Sequence, residues 1–236
     1  MKISHIALSA FLLASVLLSG CAVNGDRRDP VEPLNRGIYQ FNETVDKALI
    51  KPVAQGYNEV LPQPVRTGVS NFFSNLDDVL VIFNDLLQFK LTQAVSDFSR
   101  VLWNTTVGVL GLFDVSSSMG LEKHNEDFGQ TLGYWGIADG PYVMLPILGP
   151  SSLRDALGRV VDWQVDPLVQ HYNVAERNTA SVVKMEDMRA RLLKTDKVLD
   201  EAAIDPYVFL RDAYLQRRRA LVYDGNPPRT KFDEDE

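Results

Sequence analysis

The chain has 236 residues, 24 Lys and Arg against 31 Asp and Glu, a formal charge of −7, and 45% hydrophobic residues. That length and composition predict one globular domain, and the acidic balance argues against a basic nucleic-acid surface. Cys21 is the sole cysteine, so no disulfide forms within the chain.

In chain order, Lys2 and the apolar run 6–18 have the form of a signal peptide over residues 1–20. Leu18-Ser19-Gly20-Cys21 is similar to a bacterial lipobox, which makes Cys21 the expected acylated first residue of the mature protein. Ala22 follows it, where lipoproteins kept at the inner membrane often carry Asp, so the resemblance favours the outer membrane. Residues 21–28 read as a tether and 29–223 as the fold. Asp29 and Glu32 have capping-box spacing. Leu34, Ile38, Phe41, Val45 and Leu49 mark one helical face that Pro52 interrupts, and Pro62 and Pro64 mark a break.

Val65, Val69, Phe72 and Leu76 start a second helix, and Ala94, Phe98, Val101 and Leu102 fall on a third. A buried core and insertion into a lipid interface both remain open for these apolar faces. No stretch after the signal reaches the roughly 18–20 apolar residues of a spanning helix. Residues 104–155 are the Gly/Pro-rich centre, with Gly129, Gly133, Gly140 and Pro146 among them. Neither helical nor strand periodicity holds there for long, which predicts irregular backbone packed in protein or lining a cavity. Ser151 to Asp155 reads as a helix start, 162–173 as a connection or short helix containing Pro167, and Val182 to Leu199 as a helix. Asp205-Pro206 caps a last helix whose expected buried face is Tyr207, Leu210, Tyr214 and Leu221. Arg217, Arg218 and Arg219 are expected as a solvated basic end, and 224–236 as an acidic disordered tail.

Few residues offer chemistry. His124 with Glu126 and Asp127 lacks metal-site spacing, and no nucleotide loop is present, so no metal or cofactor is expected. Ser151 and Ser152 lack the second glycine of a nucleophile elbow and read better as a helix cap.

Several ordered blocks carry a resemblance: DPVEPLNRGIYQFN at 29–42, RTGVSNFFSNL at 66–76, NDLLQ at 84–88, NTTVGVLGLFDV at 104–115, residues 126–155, and DPYVFLRDAYLQRR at 205–218. With them the chain resembles the VacJ/MlaA family of outer-membrane lipoproteins. Val79 stands where many relatives have proline, which implies a softer helix break. The resemblance implies an all-α fold, a single compact ring-like helical domain around the irregular centre, lying in the periplasmic leaflet of the outer membrane. It implies no enzyme. It implies noncovalent removal of mislocalised phospholipid from the outer leaflet through an amphipathic channel, to a periplasmic lipid carrier, in association with a trimeric porin. Phe41, Asn42, Asn104, Thr105, Asp127, Gly129, Gly133, Gly140 and Pro146 are the expected channel or loop-geometry residues. Two alternatives stand beside it: a periplasmic lipid hydrolase using Ser151 or Ser152 with a histidine, and a structural envelope lipoprotein without transport.

Overall fold

A computed structural model describes residues 26–202 and 204–228. The signal peptide, Cys21, most of the tether and the tail beyond residue 228 lie outside the described residues. The fold is all-α apart from one small hairpin. The helices are α1 (Glu32–Val45), α2 (Lys51–Val60), α3 (Gln63–Leu87), α4 (Leu91–Thr106), α5 (Val115–Ser118), α6 (Phe128–Tyr134), α7 (Leu153–Val165), α8 (Val174–Ala202) and α9 (Pro206–Val222). Strands β1 (Tyr142–Leu145) and β2 (Gly149–Ser152) pair antiparallel, with Tyr142 opposite Ser152 and Leu145 opposite Gly149.

Local chemistry accounts for the boundaries. Pro52 cannot donate a backbone hydrogen bond, and the chain absorbs the loss in one π-helical turn, Asp46–Ile50, without breaking between α1 and α2. Helix α3 passes unbroken through Val79, where proline would have cost an intrahelical bond. Ser152 and Asp205 cap α7 and α9 as expected, Ser152 accepting from the Asp155 amide and Asp205 from those of Tyr207 and Val208. Asp29 does not cap α1. Its carboxylate is buried and accepts instead from Asn35, Tyr207 and Arg211.

The glycine-rich centre is more regular than its pattern suggests. It holds α6, the hairpin and the start of α7. Periodicity is hidden because each element is four to seven residues long or begins at a turn. The turn between the strands needs Ile147 at φ 65 and Gly149 at φ 79. Two asparagines, seven residues apart on α1, hold the first strand. Asn35 Nδ2 donates to the Tyr142 carbonyl at 3.1 Å and its Oδ1 accepts from the Met144 amide at 2.9 Å. Asn42 repeats this with the Leu145 carbonyl (2.9 Å) and the Ile147 amide (2.7 Å).

Packing closes a circuit. The π turn joins α1 to α2, which packs on α8; α8 packs on α3, and α3 on α4, α6 and α7. Strand β2 packs on α7 and α9, while β1 returns to α1.

The polarity of this fold is inverted. Among the described residues, nine apolar side chains are buried against 23 polar or charged ones. On α4 the buried stripe is Ala94, Asp97, Arg100 and Asn104, while Leu91, Val95, Phe98 and Leu102 are exposed. The helical period expected from sequence is present, but the apolar face points outward. Leu34, Phe41 and Leu49 near the N-terminus are likewise exposed, with Asn35 buried. Folded proteins in water rarely bury so many ionisable groups while exposing so many large apolar side chains.

Candidate functional site

Two cavities sit inside the circuit. The larger, about 640 Å³, lies between α3, the 123–130 segment, α8 and α9. The smaller, about 380 Å³, lies between α1, the π turn, the hairpin and α8. Met188 and Leu192 form walls of both, so the two are neighbours across one stretch of α8. The walls of the larger cavity mix Phe73, Leu80 and Val81 with Asp77, Lys123 and Arg217. Such a space accepts a molecule with one charged and one apolar part.

An ionic frame holds the wall formed by α6, α7 and α9. Arg218 donates to both Asp127 oxygens at 2.5 and 2.9 Å and to Asp155 Oδ1 at 2.9 Å. Its Nε lies 2.8 Å from Asp155 Oδ2, which also accepts from the Tyr214 hydroxyl at 2.6 Å. Arg154 reaches Asp155 at 3.1 Å and Asp139 at 2.5 Å. Burial pushes the Asp127 and Asp155 carboxyls up, but Arg218 beside them outweighs it and leaves both below the usual range. Burial likewise opposes the Arg218 charge, and its two carboxylates overcome that and raise its pKa. Arg218 is therefore no solvated helix end: α9 turns it inward, with 8% of its surface exposed.

Glycine makes the frame possible. A Cβ on Gly129 would meet Asp155 Oδ1 at 2.5 Å and Arg218 Nη2 at 2.9 Å, and one on Gly158 would meet the Gly129 amide nitrogen at 2.5 Å. A Cβ on Gly133 would meet Arg154 and Val222 within 2.9 Å.

A second polar layer joins α3 and α4. Asp85 and Asp97 face each other; Gln93 donates to Asp85 at 2.8 Å, and His124 Nδ1 lies 2.9 Å from Asp97 Oδ2. Glu126 accepts from Gln88 at 2.8 Å and pairs with Lys90 at 3.0 Å. Lys90 also holds Asp224, tying the first acid after α9 back onto the fold.

Apart from Gly140, the residues singled out from the sequence divide into three groups. Asp127, Gly129 and Gly133 meet in the ionic frame, and Asp127 also lines the larger cavity. Phe41, Asn42 and Pro146 gather at the hairpin end, where Asn42 lines the smaller cavity and Phe41 is exposed on the outer face. Asn104 and Thr105 stand apart. Asn104 holds Asp114 and the Ser116 amide at the start of α5, and Thr105 accepts from Asn75 at 2.9 Å. Gly140 has φ 68 and packs on Leu153.

Nothing in the hydrophobic pattern marks Met188 and Leu192 as cavity walls, or Arg154, Asp155 and Arg218 as a frame. The signal available was the Arg154-Asp155 pair just beyond the Ser152 cap, with Arg218 in the arginine run of α9. Ser151 and Ser152 are both buried; one hydroxyl donates to the Ser152 carbonyl and the other caps α7. The partners of the two histidines of the fold are Asp97 and Glu176.

These features define a helical protein with an apolar outside and an ionic, cavity-bearing inside. No described helix is long and apolar enough to cross a membrane. Residues 27–221 match the family model of the MlaA lipoprotein. The intermembrane phospholipid transport system lipoprotein MlaA of Escherichia coli K12 is 36% identical, over 92% of this chain and 89% of its own length. Its Haemophilus influenzae counterpart is 34% identical over 91% and 89%. A solved structure described as the structural basis for maintenance of bacterial outer membrane lipid asymmetry superposes with a TM-score of 0.73 at 35% identity, covering 85% of this chain and all of that one. The chain belongs to the MlaA lipoprotein family.

Proposed function

We propose that this protein moves phospholipid without chemical turnover. It takes mislocalised lipid from the outer leaflet of the outer membrane through the paired cavities and delivers it to a periplasmic carrier. The observation that carries this is the inverted polarity. An apolar exterior on described helices none of which is long and apolar enough to span suits a body sunk in one leaflet, and a charged, cavity-bearing interior gives a headgroup a polar route. The relatives bear transport-system names, which supports translocation over catalysis. The Ser151 and Ser152 hydroxyls, already used inside the fold, do not favour a hydrolase. Acylation at Cys21 would anchor the periplasmic side of this body, and a trimeric porin would be its neighbour in the membrane.

The test narrows the shared wall. In cells lacking the endogenous protein, Met188→Trp or Leu192→Trp is expected to raise outer-leaflet phospholipid, read with an impermeant amine-reactive label. Low outer-leaflet phospholipid with either variant folded and abundant rejects the passage. Gly133 is not a suitable probe, because a side chain there strikes Arg154 and Val222 and disturbs the frame itself.

A further inference from the structure

A third cavity, about 390 Å³, opens between α2, the start of α3 and the middle of α8. It shares Ser70, Asp187 and Arg191 with the larger cavity, so it is a side chamber of that space. Three cations line it, Arg66, Arg191 and Lys194, against one carboxylate, Asp187. That carboxylate is already engaged. It is buried, accepts from the Tyr57 hydroxyl at 3.2 Å and pairs with Arg191 at 3.2 Å.

Arg66 is the informative residue. Its guanidinium donates from Nη1 to the Asn58 side chain, and Asn58 is itself fixed to the Ala190 carbonyl at 3.0 Å. Its Nε is buried with no hydrogen-bond partner. Among the described residues, neither Arg66 nor Lys194 pairs with a carboxylate. Arg66 and Lys194 thus bring to one chamber two positive charges that no described carboxylate neutralises, and a planar guanidinium beside an ammonium suits an anion with several oxygens.

We infer that this side chamber is a phosphate-binding site, in which Arg66 grips the anion and Lys194 adds a second charge. A phospholipid headgroup and free phosphate share this chemistry. The lipid source rests on the transport reading above, whereas the anion site stands without it.

The experiment titrates the full chain, in a phosphate-free maltoside detergent, with inorganic phosphate, dihexanoylphosphatidylglycerol and phosphate-free dihexanoylglycerol. Arg66→Gln combined with Lys194→Gln is expected to weaken the phosphatidylglycerol complex about tenfold or more, the scale of losing charge-assisted bonds, and to leave dihexanoylglycerol unchanged. The same loss confined to inorganic phosphate identifies free phosphate as the ligand. Unchanged affinity for both phosphate probes, with the helical spectrum retained, overturns the site. Should Arg66→Gln fail to fold, the exposed Lys194→Gln carries the test alone: a several-fold loss supports the site and none overturns it. Leu192→Trp separates the two readings. It is expected to block lipid removal in cells while phosphate affinity stays at the parent value. If lipid removal persists in Leu192→Trp while the double variant still loses phosphate, the transport reading fails and the site survives.

Discussion

Arg218 satisfies Asp127 and Asp155 together, and each carboxylate has a further partner, so removing the arginine leaves two acids facing each other near the larger cavity. Arg218→Met is therefore expected to lose about 3 kcal/mol or more of unfolding free energy in chemical denaturation, the cost of stranding buried charge. Asp85 behaves in the opposite sense. Burial first, and then the facing Asp97 and Glu126, push its carboxyl up to about 8. Between about pH 4, where an unfolded aspartate titrates, and pH 8, the folded chain keeps a proton that the unfolded chain has released. Stability contributed by this group thus falls as pH rises through that window. Asp162, raised to about 6 chiefly by burial, adds to the lower part. The expected result is a lower Tm at pH 8 than at pH 5, with a flatter profile in Asp85→Asn. An unchanged slope would show that Asp85 is ionised in the fold.

At the level of elements, each strand of the hairpin pairs only with the other among the described residues, and α1 holds the pair through Asn35 and Asn42. Asn35→Ala leaves the buried Met144 amide and Tyr142 carbonyl short of a partner and should cost about 2 kcal/mol. Asn42→Ala, in a more open position, should cost less than about 1 kcal/mol globally but speed amide exchange at Ile147. Equal effects at the two positions would contradict the burial difference. The α6–α7 contact is tighter still. Gly158→Ala places a methyl against backbone rather than a movable side chain, with an expected loss of about 1–3 kcal/mol.

For the molecule as a whole, the apolar exterior predicts how the protein partitions. Phe98 and Leu102 are exposed on α4 opposite its buried Asp97 and Arg100. Phe98→Lys with Leu102→Lys should leave the helical spectrum and Tm in detergent nearly unchanged while reducing co-flotation with vesicles. The chain for this measurement carries Cys21→Ala, so that acylation does not mask the loss. Vesicle binding equal to that of the Cys21→Ala parent would mean that α4 does not face lipid. A water-soluble protein would show the reverse, because its lysines would replace core residues.

Residue order alone determined the helical content, the caps at Ser152 and Asp205, the family blocks and the helical period of α4, since each depends on neighbours within one or two turns. It also held the asparagines and glycines that hold the loops, though not what they would touch. Which side of each helix faces inward came only from tertiary structure. A period of 3.6 separates two faces without saying which one meets the solvent, and here the inner partners of Asp97, Arg100 and Arg218 lie on other elements. The cavity walls at Met188 and Leu192 were decided in the same way, because a space exists only where distant helices fail to touch.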